Sequence, residues 1–247
     1  MNTTLKATLV AIATTSTLIS ISAPAHAFSF GANGISFEQD TTVNFTFGSS
    51  NSYDKYSLGV YQVSNGSISN VASLFWKTQR SDNGGADDYK GTFGPTVTSS
   101  TGNSTVSFTF LANQVYSLGL YSGNFNASTG LTSQVFNVGS YEVVSSTSGV
   151  NFGGYQQAVF GSNLNIDKKG ITPFTVNNGA LSNYTSANIF NGPVTIGFED
   201  QLWNADKDYN DFTVTASVPE PFTMSGLALG LGGLVTMRRR QQKKASS

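Results

Sequence analysis

Residues 42–47 read TVNFTF, and residues 105–110 read TVSFTF. In both stretches polar residues alternate with valine or phenylalanine, which is the period of two that a half-buried β-strand requires. Five further runs, rich in β-branched and aromatic residues, cover 56–63, 71–76, 115–121, 194–198 and 212–216. Gly, Asn, Ser and Asp separate these runs, as is typical of turns. The pattern predicts an all-β protein, namely one antiparallel β-sandwich or jelly-roll-like domain.

The two TV-x-FTF stretches belong to a longer internal similarity. The first is followed by YSLGVY at 56–61, and the second by YSLGLY at 116–121. A loop that is three residues shorter in the second copy accounts for the change of offset from 63 to 60. Two interpretations stay open: a duplicated pair of strands, or two pairs that came to resemble each other in similar surroundings.

The N-terminal end of the chain has the pattern of a secretory signal. Lys6 precedes an apolar and small-residue segment at 7–21, and Ala25 and Ala27 form a small-x-small cleavage site. We expect a signal peptide over 1–27 that signal peptidase removes, so that the mature chain begins at Phe28. The protein is therefore expected to be exported.

The C-terminal end combines a short apolar segment with a basic tail. Residues 222–237 are uncharged and include four glycines, and residues 238–244 contain five Arg or Lys. Sixteen helical residues span roughly 24 Å, which is less than the roughly 30 Å hydrocarbon core of a bilayer. The segment predicts a weak transmembrane helix whose C-terminus faces the cytoplasm.

Pro-Glu-Pro, a glycine-rich apolar helix and a basic tail together resemble the PEP-CTERM sorting signal of Gram-negative bacteria, here over 218–247. The resemblance implies transient anchoring in the inner membrane and processing by an exosortase near Pro-Glu-Pro. An ordinary single-pass anchor is the alternative. The residues of the sorting motif are Pro219, Glu220, Pro221, Arg238, Arg239 and Arg240.

Residues 28–217 remain as one predicted exported domain, and this domain contains few kinds of reactive side chain. His26, in the signal peptide, is the only histidine, and the chain has no cysteine. The domain therefore lacks the residues for Ser-His-Asp and Cys-His catalysis, histidine-bound zinc, haem ligation through histidine or cysteine, and disulfides. It holds thirteen Asp or Glu against seven Lys or Arg, so we expect no nucleic acid as a partner and an affinity for cations.

The acidic loop, residues 199–211, lies between two predicted strands and concentrates five carboxylates and two asparagines. These carboxylates repel one another unless a cation or hydrogen bonds offset their charge. Asp206, Asp208 and Asn210 alternate, so their oxygens can point at one centre, and Glu199 or Asp200 can help complete the six to eight oxygens that Ca²⁺ takes. The loop is not an EF-hand, because Asp211 stands where that loop needs glycine and the flanks are strands. The candidate calcium ligands are Glu199, Asp200, Asp206, Asp208, Asn210 and Asp211.

The FED run at 198–200, followed by DxDYNDF at 206–212, resembles the C-terminal signature of a bacterial family, domain of unknown function 4114. The resemblance covers residues 197–214 and implies a surface domain whose acidic residues take metal-binding or enzymatic roles. The six candidate ligands are the matching positions. Lys207 lies among them, and its ammonium could partly replace a cation.

Two alternatives to a calcium site stay open for the acidic loop. The Asp and Asn side chains could form Asx-turns in a tight hairpin, with Trp203 and Tyr209 packed beneath them. Alternatively, Glu199 and Asp208 could act as the acid pair of a glycoside hydrolase, which needs carboxyl groups roughly 5 to 9.5 Å apart in a groove. Crowding of all the acids into one turn favours a cation.

A second acidic cluster occupies residues 80–91. Asp82 and Asn83, with Asp87 or Asp88, could form another calcium loop. Arg80 and Lys90 would neutralise it, so a solvated loop is the favoured interpretation.

Aromatic side chains indicate a different function. Trp76, Tyr53, Tyr89, Tyr155 and Tyr184 could stack on sugar rings at the rim of a sandwich, although tyrosines in strands more often pack in the core. We therefore expect a non-enzymatic, calcium-stabilised protein of the cell surface or extracellular matrix, in contact with surface polysaccharide. A carbohydrate-binding module is the alternative, and a carboxylate-dependent glycoside hydrolase the third possibility.

Overall fold

The computed structural model describes residues 27–84, 89–122, 126, 130, 135–137, 142–162, 164, 166, 174, 178–201 and 206–219. Most of the predicted signal peptide and everything after Pro219, including the predicted transmembrane helix, lie outside these ranges. No helix among the described residues is long and apolar enough to cross a membrane.

Thirteen strands form the framework of the described residues. They are β1 (Phe28–Gly31), β2 (Gly34–Phe37), β3 (Thr41–Ser49), β4 (Ser57–Ser64), β5 (Ser67–Lys77), β6 (Val97–Ser99), β7 (Thr105–Phe110), β8 (Tyr116–Tyr121), β9 (Val135–Asn137), β10 (Val143–Ser145), β11 (Ala158–Gly161), β12 (Val194–Phe198) and β13 (Phe212–Ser217). Short 3₁₀ helices occupy Ser148–Val150, Phe152–Gly154, Leu181–Tyr184 and Ile189–Asn191. All seven predicted strands are confirmed. The six strands that the sequence did not predict have only three or four residues each, too few to show an alternation of apolar and polar residues.

The strands form two sheets, and every pairing of two strands is antiparallel. Sheet A follows the order β1-β2-β8-β4-β5-β6, with β10 also paired to β8 and β9 to β5. Sheet B follows the order β11-β12-β13-β3-β7. The predicted all-β architecture of antiparallel sheets is confirmed.

One hydrophobic core lies between the sheets. Sheet B contributes the alternating apolar residues of β3, Val43, Phe45 and Phe47, while Leu58 and Leu118 come from sheet A. Phenylalanine rings contact one another across this layer, as in the edge-to-face pair of Phe47 and Phe212 with centroids 5.5 Å apart. Aromatic pairs of this kind add roughly 0.5–1.5 kcal/mol beyond their burial.

The internal similarity corresponds to direct strand pairing. β3 lies beside β7, with Asn44 opposite Ser107, and β4 lies beside β8, with Gly59 opposite Gly119. Each of these two pairs joins equivalent positions of the repeat, so a local twofold axis passes through each. The two open interpretations of the similarity both accommodate this arrangement.

The outer face of sheet A is covered rather than open. Tyr61 and Tyr121 pack there with Phe136, Val143 and Val150 as a second buried cluster. A Cβ on Gly119 would lie 2.9 Å from the Tyr61 ring and 2.7 Å from Val143. A glycine at this position therefore makes room for the covering segment.

Candidate cation site

Antiparallel pairing of β12 and β13 brings the two ends of the acidic loop together. Phe198, the last residue of β12, is the register partner of Phe212, the first of β13. Glu199 and Asp200 therefore emerge next to Asp211 at the same end of sheet B. The predicted strand–acidic loop–strand arrangement is present.

Five carboxylates form two overlapping groups in which one oxygen from each member lies within 4.8 Å of the others. One group joins Glu199, Asp206 and Asp208, and the other joins Glu199, Asp200 and Asp211. Glu199 belongs to both groups and is only 2 % exposed, as is Asp208, whereas Asp206 is exposed. The structure thus concentrates charge around one buried carboxylate at the base of the loop.

Hydrogen bonds orient these carboxylates. Glu199 accepts the backbone N–H of Lys207 at 3.0 Å and that of Gln201 at 3.4 Å. Asp208 accepts the backbone N–H of Asn210 at 3.0 Å, which closes an Asx-turn, and the Asn210 amide at 2.7 Å. The predicted Asx-turn is therefore present, and Asn210 supports Asp208 through a donor group. A carboxylate oxygen with one such bond still has a lone pair for a cation.

The loop follows an unusual backbone path. Lys207 and Tyr209 have φ values of 60° and 57°, in the left-handed region that side-chain-bearing residues rarely occupy. The loop folds back over β12, where a Cβ on Gly197 would lie 2.5 Å from the Tyr209 carbonyl oxygen. Such strained residues persist only where their surroundings hold them, and they concentrate at functional sites.

Tyr209 anchors the loop from below, as predicted. It is buried against Phe174 in an edge-to-face contact of 5.5 Å, and its hydroxyl donates to the Gln156 carbonyl at 3.0 Å. Burial raises the pKa of its phenol, with a further contribution from the Glu199 charge. Trp203, which was expected to share this position, lies outside the described residues.

The loop between β3 and β4 forms the opposite wall. The Ser52 hydroxyl donates to the Asp200 carboxylate, and the Ser50 hydroxyl donates to the Asp211 carbonyl at 2.8 Å. Sequence reasoning missed both serines because they are far from the acidic loop in the chain. The pairing of β3 with β13 places them there, with Ser49 opposite Thr213.

Lys77, the last residue of β5, carries a buried amine beside this wall. Its side chain has no exposed surface, and Nζ donates to the Ser52 carbonyl at 2.6 Å and to the Tyr89 carbonyl at 3.4 Å. Burial lowers the pKa of this amine to about 8, against the opposing attraction of Asp200 and Asp211. Lys77 was not among the predicted site residues, and the one sequence signal for it is its position directly after two aromatic residues at the end of a predicted strand.

Electrostatics disfavour full ionisation of the cluster. Burial, with the neighbouring charges of Asp206 and Asp200, raises the pKa of Glu199 to about 8. Burial also raises the pKa of Asp200, and raises that of Asp211 well above its ordinary value with help from the Asp200 and Glu199 charges. A bound cation would reverse these shifts, because it favours the charged form.

The donor chemistry fits a hard divalent cation. Every candidate ligand atom is oxygen, and the five carboxylates, when ionised, carry more negative charge than the Lys77 ammonium can balance. Ca²⁺ accepts this type of donor in flexible geometries of six to eight ligands. Glu199, Asp206 and Asp208 would hold such an ion on one side of the loop, with Asp200 and Asp211 on the other.

The second acidic cluster is organised differently. The Asp82 carboxylate accepts the Thr92 backbone N–H at 3.1 Å and the hydroxyls of Thr92 and Thr96. Despite partial burial, these bonds lower the pKa of Asp82. Asp82 thus holds the loop before β6, while Asp87 and Asp88 lie outside the described residues.

The proposed sugar-stacking aromatics do not form one surface. Trp76 is only 4 % exposed and lies against Gly130, so the expectation that it stacks on a sugar was wrong. Tyr53 is 46 % exposed, but the Arg80 guanidinium lies 3.9 Å from its ring centroid and Tyr89 meets it edge-on. Tyr155 is exposed and Tyr184 half-buried.

Comparison of the chain with known protein families, with curated proteins and with solved structures found no match. The resemblances of residues 197–214 and 218–247 described above therefore stay predictions from short motifs.

Proposed function

We propose that this protein is a non-enzymatic, exported surface or extracellular-matrix protein whose jelly-roll-like β-sandwich is stabilised by Ca²⁺ at the acidic loop. The observation that carries the proposal is the convergence of Glu199, Asp206 and Asp208 on one side, and of Glu199, Asp200 and Asp211 on the other. Mutual repulsion in a buried setting costs stability unless a cation offsets it. Ion binding then stabilises the fold.

The positions of the outermost described strands support the export half of the proposal. Among the described residues, the first strand begins at Phe28, directly after the predicted signal-peptidase site, and the last strand ends at Ser217, just before Pro-Glu-Pro. Processing at either point would leave all thirteen strands of the described chain intact. Signal peptidase and an exosortase are the processing partners that this proposal implies.

A carbohydrate-binding module is the second candidate. It is favoured by one observation, the edge-on contact of the exposed Tyr53 with the half-buried Tyr89, beside the wall of the acidic site. Burial of Glu199 and Asp208 to 2 % exposure favours either binding function over a glycoside hydrolase, since catalytic carboxylates must reach the substrate.

Thermal unfolding of the purified full-length chain tests the cation site. We expect Ca²⁺ to raise Tm relative to EDTA, and Mg²⁺ to raise it less, because Mg²⁺ demands strict octahedral geometry. At a hundredfold excess over Kd, the stabilisation amounts to about 2.7 kcal/mol. Equal Tm values in EDTA and Ca²⁺ would refute the site.

A matched pair of variants tests whether the Ca²⁺-dependent rise in Tm comes from the acidic loop. Asp206→Asn removes the charge of an exposed ligand, so the Ca²⁺ shift should fall, while Tm in EDTA should not fall and should rise slightly because Glu199 loses a repelling neighbour. Glu38→Gln removes the same charge from an exposed side chain outside both carboxylate groups. It should leave the Ca²⁺ shift intact.

Mass spectrometry of the chain expressed in a Gram-negative host tests export. The expected product begins at Phe28. A product that retains residues 1–27 would contradict secretion without bearing on the cation site.

A further inference from the structure

Six described strands pair with a neighbouring strand on one side only: β1, β6, β9 and β10 in sheet A, and β7 and β11 in sheet B. At β1, β6 and β11, backbone groups of the edge bond to other parts of the described chain. Ala32 and Ala187 link β1 to the segment around residue 186 through backbone hydrogen bonds of 2.6 and 3.1 Å. Residues 92–94 bond to Val97 of β6. At β11, the Gln156 amide donates to the Ala158 carbonyl at 3.0 Å. Coverage of this kind prevents an edge from pairing with another chain.

β7 is the longest of these edge strands, with six residues. It pairs with β3 on one side, and among the described residues no segment forms backbone hydrogen bonds to its other side. Its sequence, TVSFTF, contains no charge and no proline, and its pairing with β3 has no bulge. These are the devices by which natural edge strands avoid association, and β7 lacks all of them.

The backbone groups of β7 are correctly directed for pairing. Phe47 N donates to Ser104 O at 2.9 Å, so residue 104 directs its backbone groups toward β3. Successive residues of a strand alternate in this direction. Thr105, Ser107 and Thr109 therefore direct their N–H and C=O groups to the free side.

The existing pairing of β3 with β7 shows what fits this edge. On the core side Val43 lies opposite Phe108 and Phe45 opposite Val106. On the outer side Thr42 bonds to Thr109 at 2.8 Å, and Thr46 bonds to Thr105 at 2.9 Å. The side chains of β3 and β7 form matching cross-strand pairs, and the two strands have almost the same sequence.

A second copy of β7 would repeat those pairs. With Ser107 opposite its own copy, Val106 meets Phe108 and Thr105 meets Thr109, as in the β3–β7 pairing. Phe108, only partly buried at the rim of the core, would gain a partner. We propose that two copies of this protein associate through antiparallel pairing of their β7 strands about a twofold axis at Ser107, which joins the two B sheets into one.

The interface is small, so the association should be weak. A six-residue edge buries less than the roughly 1,200–2,000 Å² of stable interfaces, which predicts a Kd of about 1–100 µM. Sedimentation analysis of the full-length chain over this concentration range, in detergent where needed, should show a reversible monomer–dimer equilibrium. A protein that stays monomeric up to about 100 µM would refute the proposal.

Ser107→Cys tests the register, because the natural chain contains no cysteine. A hydrogen-bonded antiparallel pair separates the two Cα atoms by about 5.5 Å, which a disulfide can bridge. Under mild oxidation we expect a covalent dimer. Thr42→Cys, on the same face but one strand inward, is the control, since its two copies would lie more than about 14 Å apart. Equal cross-linking of both variants would overturn the β7 pairing.

Ser107→Lys tests the interface without cross-linking. Two ammonium groups would meet at the twofold axis, and self-association should weaken at least about tenfold. Thr42→Lys is the control and should associate like the wild type. Thermal unfolding of both variants checks that each retains the fold. Unchanged association of Ser107→Lys would count against the proposal.

Discussion

The Asp208 carboxylate closes an Asx-turn with the Asn210 N–H and also stands in a carboxylate group with Glu199 and Asp206. A structural role and the proposed cation role would therefore coincide in one side chain. Substitutions that preserve one role and remove the other can separate them.

We predict that Asp208→Asn removes most of the Ca²⁺-dependent rise in Tm while lowering Tm in EDTA less than Asp208→Ala does. The amide oxygen can still accept the Asn210 N–H, but the charge and the acceptor for the Asn210 side chain are lost. Asp208→Ala also loses the turn, so it should lower stability by about 1 kcal/mol even in EDTA. Thermal unfolding with and without Ca²⁺ measures both effects.

Asp82→Asn provides the contrast for Asp208. Asp82 holds Thr92 and Thr96 outside both carboxylate groups. Its substitution should therefore lower Tm equally in EDTA and in Ca²⁺. An Asp208→Asn variant that behaved in the same way would show that Asp208 only forms the turn.

Lys77 supplies a positive charge near Asp200 and Asp211 without reaching solvent. We predict that Lys77→Met lowers stability in EDTA, because the Ser52 carbonyl loses its donor at a cost of about 1–3 kcal/mol. The Ca²⁺-dependent rise in Tm should become larger, since the carboxylates lose a competing cation. A smaller Ca²⁺ effect than in the wild type would contradict this role for Lys77.

At the scale of elements, β4 and β8 meet at Gly59 and Gly119, under the ring of Tyr61. By the period of two, the Tyr-Ser-Leu-Gly pattern predicts one apolar face and one face of Ser, Gly and Tyr for each strand. In the structure both faces are buried, because a second cluster covers the outer tyrosines. A period of two in the sequence could not show this, since the cover comes from distant residues.

We predict that Gly119→Ala destabilises the protein by roughly 1–3 kcal/mol, since the new methyl group would overlap Val143 and Tyr61. Gly149→Ala is the matched control, because no atom from elsewhere in the described chain lies within 4 Å of the place its new methyl group would take. Urea unfolding of both variants gives the comparison. Equal stabilities would show that Val143 and Tyr61 shift to accommodate the methyl group at little cost in free energy.

For the whole molecule, the raised carboxylate pKa values set the pH dependence of stability in the absence of metal. Glu199 retains a proton up to a pKa of about 8 in the folded state, against 4.5 for an ordinary glutamate. Between these values the folded state binds more protons than the unfolded state. The free energy of unfolding therefore falls as pH rises from about 5 to 8.

We predict this fall in EDTA, and a smaller one in Ca²⁺ if the proposed site is correct, because the ion would favour the ionised carboxylates. Above pH 8 the lowered pKa of Lys77 acts in the opposite direction and raises stability toward pH 10.5. Glu199→Gln should reduce the fall seen in EDTA. Urea unfolding across this pH range is the measurement, and stability that rose steadily from pH 5 to 8 in EDTA would contradict the buried-carboxylate arrangement.

Much of the candidate site could be predicted because its ligands are neighbours in the chain. Asp206, Asp208 and the adjacent strands lie within one hairpin, so their short separation in the chain was enough to predict that they lie close together. Ser52 and Lys77 could not be predicted in this way. They reach the site through strand pairing and through contact between the two sheets.

The amino-acid sequence by itself determined the all-β class, seven of the strands and the crowding of carboxylates in residues 199–211. These features depend on local periodicity and on distances along the chain. Only the tertiary structure decided that Trp76 is buried, that Lys77 lies beside the acidic site, and that β7 is an open edge within the described chain. The reason is that burial, the pKa of a group and the partner of a strand depend on which distant segments pack against it.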